Sequence, residues 1–200
     1  MEYALVGWSE DEPRIRLDHR EFSYAGKFVM SNTGNAVARD PETVESERER
    51  DPESDGGTDT DWLEDDRIVA AIAFNEDRTD SATAWLRYVT VRRDRRGEGI
   101  GARLAGFATA RLRERGYDRV QIAVNNAFAY HALYKAGFGY TGDQTGLAEL
   151  VLAAPADRTA EGYQSGLDAY REREDLTTAE RDFLAAKADT DPPDVIRTPE

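Results

Sequence analysis

The chain has 200 residues, 40% of them hydrophobic and 10% aromatic, with a net charge of −14 at neutral pH, enough for one domain with a sizeable core plus appendages. There is no cysteine, which excludes disulfides, thiolate metal sites and cysteine nucleophiles, and two histidines, His19 and His131, are too few for a His-rich metal site. The acidic balance argues against a nucleic-acid partner, and no apolar run reaches membrane-spanning length.

The N-terminal stretch MEYALVGWSEDEP lacks a basic region followed by an apolar one, so the expectation is a soluble cytoplasmic protein. Of the 26 basic residues, 23 are arginine and 3 lysine. We read the many acids and few lysines as salt adaptation, although a GC-rich genome also favours arginine.

Residues 2–8 and 14–19 read as short strands. The stretch EFSYAGKFVMS is ambiguous between helix and irregular structure, and 35–39 begins a strand. Residues 40–66 then hold 13 acids and 2 arginines, a composition that cannot bury enough apolar surface to offset ordering entropy, so a disordered insertion is expected. Trp62-Leu63 within it is a candidate docking motif or part of a solvated loop.

Residues 67–75 and 83–91 read as antiparallel neighbours joined by a turn at 76–81. Apolar positions near helical spacing predict a helix over 99–115, stopped by Gly116. Residues 119–125 read as a buried strand, 127–136 as a short helix ended by Gly137, and 147–153 as a last strand. Beyond Pro155, Ala160, Tyr163, Leu167 and Tyr170 recur at helical spacing, and Thr177 with Glu180 forms a capping box for a second helix. This gives a domain at 1–153 and a helical extension at 154–200, expected to pack on the domain or on a second copy.

The stretch RRDRRGEGIGARL, residues 92–104, carries the chemistry. It lies between a strand and a helix. Helix N-termini have unsatisfied N–H groups and partial positive charge, and glycines let that backbone approach a bulky anion. Arg96, Gly97, Glu98, Gly99, Ile100, Gly101 and Ala102 therefore make a candidate pyrophosphate cradle; the structural alternative is tight strand–helix packing with a solvated arginine face. A P-loop would need Lys-Ser/Thr where Ala102-Arg103 stand. A dinucleotide fingerprint would need an acid ending the next strand, where Asn125 and Asn126 stand.

Val91, Arg96, Gly97, Gly99, Ile100 and Gly101 resemble the coenzyme A signature of the GNAT superfamily of N-acetyltransferases. VQIAVNNAFAYHALYKAGF, with Leu133, Tyr134, Gly137 and Phe138, is similar to the second motif of that family. The family asparagine stands seven residues before the tyrosine, whereas Asn126 stands eight before Tyr134. The resemblance implies an α/β (α+β) fold whose central, mostly antiparallel sheet is splayed at its middle, and acetyl-coenzyme A as cosubstrate without a metal. It implies acetyl transfer to an amine on a small molecule or a protein, the alternative being a non-catalytic acyl-coenzyme A sensor or adaptor.

The same resemblance assigns the pantetheine arm to the backbone of Val89, Thr90 and Val91, with an N–H near Val89 or Thr90 stabilising the oxyanion. It assigns a coenzyme contact to Asn126, and the role of general acid to Tyr134, whose structural alternative is core packing. The strand before the turn carries no acid, so candidate bases are Glu76, His131 and Glu149. Each has a structural alternative: a turn residue, an exposed helix residue and an edge charge. Asp18-His19 is a further candidate pair. A homodimer is possible; no membrane or nucleic-acid partner is expected.

Overall fold

The computed structural model describes residues 1–11, 14–30, 32–43, 62–63, 65–146 and 149–199. Its strands are β1 (Glu2–Gly7), β2 (Arg14–Ile15), β3 (Gly34–Arg39), β4 (Trp62–Leu63), β5 (Ile68–Glu76), β6 (Thr83–Val91), β7 (Arg119–Val124), β8 (Gly139–Gln144) and β9 (Leu150–Ala154). The helices are α1 (Ala25–Met30), α2 (Ile100–Glu114), α3 (Ala127–Lys135), α4 (Ala160–Arg171) and α5 (Thr178–Ala186).

Seven strands form one sheet in the order β1-β3-β5-β6-β7-β9-β8. Every neighbouring pair is antiparallel except β6 with β7, which is parallel. This is the mixed, mostly antiparallel α/β architecture that the resemblance implies.

Alternation along the central strands sorts the core into two layers. Ala70, Ile72 and Phe74 of β5 join the larger cluster, with Leu104 and Phe107 of α2 and Leu133 and Tyr134 of α3. Ala71 and Ala73 face the other way, into a smaller cluster with Phe22, Ala25 and Phe28. Strand β5 is thus buried on both faces, which explains its nearly continuous apolar run.

The extension packs on the larger layer. Tyr163, Leu167, Tyr170 and Leu184 belong to the same cluster as α2 and α3. The Thr177–Glu180 capping box forms as read from the sequence.

One expectation is corrected, and the bounds of another are narrowed. The strand read over 14–19 shrinks to Arg14–Ile15, since the chain turns at Asp18, where the carboxylate accepts the Arg20 N–H at 2.8 Å. The insertion read as disordered over 40–66 is anchored at both ends, while residues 44–61 and 64 lie outside the described residues. Trp62–Leu63 pairs in parallel with Arg14–Ile15, Asp65 bonds Arg39 at 2.7 Å and Arg67 at 2.9 Å, and Asp40 bonds Arg95 at 2.6 Å. Leu63 adds apolar surface to the smaller cluster.

Candidate active site

The parallel pair β6–β7 is incomplete. Its register runs from Thr83 opposite Arg119 to Leu86 opposite Ile122 and stops there, although β6 continues to Val91 and β7 to Val124. A bulge at Arg87 marks the same point on the other edge of β6, where Tyr88 pairs with Ala73 and Leu86 with Phe74. A bulge bends its strand and adds twist. The two strands therefore part, and a gap opens between the end of β6 and the end of β7.

The Arg92 amide donates to the Val69 carbonyl at 2.8 Å, toward β5. Successive residues of a strand point their backbone groups to opposite edges, so the peptide groups of Val91 and Val89 face the gap. The amide of Thr90 turns to β5 instead, opposite Ala71; its side chain is buried with an unpartnered hydroxyl. Of the three residues expected to present backbone to a pantetheine arm, Val89 and Val91 have that geometry and Thr90 does not.

Directly beyond the gap lies the glycine turn. Gly97 and Gly99 hold φ of +87° and +75°, a region closed to most side chains. Gly99 is the N-cap of α2 and supplies no capping side chain, so the amides of the first turn, including those near Ile100 and Ala102, are left for a ligand. A Cβ on Gly101 would come 3.1 Å from Val91, so this glycine permits the close approach of α2 to β6. Glu98 would oppose an anion; it is drawn aside by Arg95 through bonds of 2.9 and 3.1 Å, a guanidinium it shares with Asp40.

The arginines of the turn also brace it. Arg96 donates to the Val91 carbonyl at 3.3 Å and to Ser23 Oγ at 2.9 Å. The Arg93 amide donates to the Glu21 carbonyl at 3.0 Å. Sequence reading assigned Arg96 to the ligand and missed that Arg93 and Arg96 tie residues 20–24 to the turn.

The other candidates are dispersed. Asn126 caps α3, accepting the Ala129 amide at 2.8 Å, so its side-chain oxygen serves the helix. Tyr134 is fully buried. Its hydroxyl accepts the Tyr140 amide at 2.9 Å and meets the Tyr130 hydroxyl at 3.2 Å. Tyr140 is opposite Leu152, and Leu152 opposite Ile122. Two strand spacings, about 10 Å, thus separate the partner of Tyr134 from the lip of the gap.

His131 lies beneath the extension, its Nδ1 2.7 Å from the Tyr163 hydroxyl and its ring against Phe183. Burial first, then the charges of Lys135 and Lys187, pull it down to about 4, so it is a neutral structural residue. Glu76 is exposed at the end of β5 opposite Ala84, about 23 Å along β6 from Val91, and its contact is the Tyr117 hydroxyl at 3.4 Å. His19 is exposed, and Asp18 is taken by Arg20.

Glu149 alone sits at the gap end of the sheet. It precedes Leu150, the partner of Val124, and lies outside β9 rather than within the strand as read; it closes the β8–β9 turn, its Oε2 3.3 Å from Thr145 Oγ1. Residues 147–148, read as the start of the last strand, lie outside the described residues. Among the described residues no cluster of His, Asp and Glu could hold a metal, and no helix is long and apolar enough to cross a membrane.

Residues 16–140 match the model of the Acetyltransferase (GNAT) family, and the chain belongs to that family. No curated protein matches it. Among solved structures it is similar to nourseothricin acetyltransferase, with 20% identity, 62% of this chain and 66% of that chain covered, and a TM-score of 0.44. It is similar to a GCN5-related N-acetyltransferase from Kribbella flavida, with 19% identity, coverage of 62% and 68%, and a TM-score of 0.42. A third is the PaiA N-acetyltransferase from Thermoplasma acidophilum, in complex with coenzyme A, with 17% identity, coverage of 46% and 55%, and a TM-score of 0.38. The chain thus spans 66% and 55% of the first and third of these proteins.

Proposed function

We propose that this acetyltransferase-family protein moves the acetyl group of acetyl-coenzyme A directly to an amine. The observation that carries the reading is the continuity of the β6–β7 gap with the uncapped N-terminus of α2. The chemistry of the donors fits the ligand. First-turn amides and the dipole of α2 suit a pyrophosphate, and the gap-facing backbone of Val89, with the Val91 amide, suits the amide groups of a pantetheine arm, as an added strand would; the Val91 carbonyl already accepts from Arg96.

When bound, the coenzyme supplies an acyl carbon open to attack. The Val89 N–H, facing the gap, is the donor this chain offers to the developing oxyanion. The attacking amine must be neutral, and Glu149 at the gap end is the carboxylate best situated to take its proton, directly or through water. Tyr134 fixes α3 to β8 and is not assigned a proton-transfer role. Thiol release from acetyl-coenzyme A with a panel of amines tests this: it rises with an accepted amine and falls at least tenfold in Glu149→Gln, while coenzyme affinity is kept. No release with any amine would contradict it.

The sealed position of Tyr134 favours one second reading, a non-catalytic acyl-coenzyme A adaptor. It predicts coenzyme binding without thiol release.

A further inference from the structure

Helices α2, α3 and α4 pack on one face of the sheet, in the larger core layer. The other face carries α1 and the smaller cluster, and it offers an acceptor an approach to the gap that is separate from the α2 terminus. Two tyrosines stand there. Tyr88 rises from the gap-lining segment of β6 and is half-buried against the smaller core. Tyr24, directly before α1, is 56% exposed. Their ring centroids are 6.3 Å apart with planes inclined by 32°, and Phe28 backs Tyr88 at 6.4 Å.

Tyr24 holds φ of +62°, a left-handed conformation that is costly for a bulky side chain. A turn that only had to be solvated would be better served by glycine or asparagine. The conformation is held from outside. Ser23 accepts from Arg96 at 2.9 Å, the Glu21 carbonyl accepts the Arg93 amide, and the Tyr24 carbonyl accepts the Lys27 amide at 2.8 Å. The exposed ring is thus locked to the glycine turn through the same arginines that brace it. An outlier maintained in this way beside a candidate site points to a function.

We infer that Tyr24 and Tyr88 form the acceptor platform, and that the acceptor is a monoamine carried on an aromatic or apolar body, of the phenethylamine kind. The inference rests on the acyl-transfer reading above. Two tilted rings offer stacking area to such a body. The charges beside them do not favour a polycation. Arg20 is neutralised by Asp18 at 3.1 Å, but the bonds of Arg93 and Arg96 go to neutral oxygens of Arg20, Val91 and Ser23. These contacts set guanidinium groups rather than carboxylates beside the rings, so they do not provide the anionic partners that the several ammonium groups of a polyamine would need.

The test compares phenethylamine with spermidine in wild type, Tyr24→Phe and Tyr24→Asn. Asparagine suits the left-handed backbone and removes the ring, so the loop is kept. Saturation-transfer NMR reads amine binding without coenzyme, and thiol release reads turnover. Phenethylamine is expected to bind and to have the lower KM. Tyr24→Asn should raise that KM about tenfold with acetyl-coenzyme A affinity kept, and Tyr24→Phe, which keeps the ring, should retain most of the phenethylamine binding. Preference for spermidine, absence of phenethylamine binding, or binding unmoved in Tyr24→Asn overturns the platform. Binding that depends on Tyr24 in a protein that neither holds acetyl-coenzyme A nor releases thiol would uphold the platform and sink the acyl-transfer reading.

Discussion

The hydroxyl of Tyr134 accepts a hydrogen bond from the amide of Tyr140 at 2.9 Å. That one bond joins the last turn of α3 to the first residues of the edge strand β8, away from the gap where chemistry is proposed. Tyr134→Phe leaves the Tyr140 N–H unpaired in a partly buried position. It should destabilise the fold by about 1–2 kcal/mol, read by denaturant unfolding. Turnover should stay within about tenfold of wild type. A loss of 100-fold or more, the usual signature of a removed general acid, would show that Tyr134 reaches the reacting atoms after all.

Gly166 in α4 makes a contrasting case. Alanine is favoured over glycine in a helix interior by about 1 kcal/mol, yet here a Cβ would fall inside contact distance of the Tyr130 hydroxyl and ring. Tyr130 is fully buried, and its hydroxyl lies 3.2 Å from the carbonyls of Gly162 and Tyr163. Gly166→Ala should therefore destabilise by about 1–3 kcal/mol through overpacking. Adding Tyr130→Phe, which removes the nearest atom, should recover part of that loss. A stabilised Gly166→Ala protein would mean that α4 does not seat on Tyr130.

The pH dependence of stability should carry the signature of His131. Its folded value, near 4, lies below the ordinary 6.5 because burial disfavours the charged ring. The unfolded chain then binds the proton more readily, so stability falls as pH drops from 6.5 toward 4 and levels off, for this group, below 4. Carboxylates such as Asp77, held down to about 2 by Thr79 and Trp85, act mainly below pH 4. Melting temperatures of wild type and His131→Gln, measured between pH 4 and 7, should diverge in slope, the variant being flatter. Parallel curves would show that His131 is solvated.

What the sequence revealed depended on whether the signal was local. The glycine turn was legible because Gly97 and Gly99 need positive φ, which few other residues adopt. Strands β5 and β6 were legible from their apolar runs, and the Thr177–Glu180 box from its spacing. Tyr134 was legible as a motif residue, but its burial and its bond to the Tyr140 amide depend on how α3 packs against β8, which no local spacing shows. Strand β4 could not be read, since two residues at the end of an acidic stretch carry no periodicity; their order comes from pairing with Arg14–Ile15. The left-handed backbone of Tyr24 could not be read either, since the neighbouring residues Arg20 and Ser23 are held by Arg93 and Arg96, some seventy residues away in the chain.

The measurement that tests the central claim most directly is thermal stabilisation by acetyl-coenzyme A in wild type and Gly99→Asp. A ligand that binds only the folded state at about 100 times its Kd adds about 2.7 kcal/mol, which for a chain of this length is a rise of about 5–10 °C in melting temperature. Gly99→Asp places a carboxylate at the cap of α2, against the pyrophosphate, and a folded variant should lose that rise. No rise in folded wild type, or an equal rise in the variant, would contradict the assignment of the gap and the glycine turn as the coenzyme site.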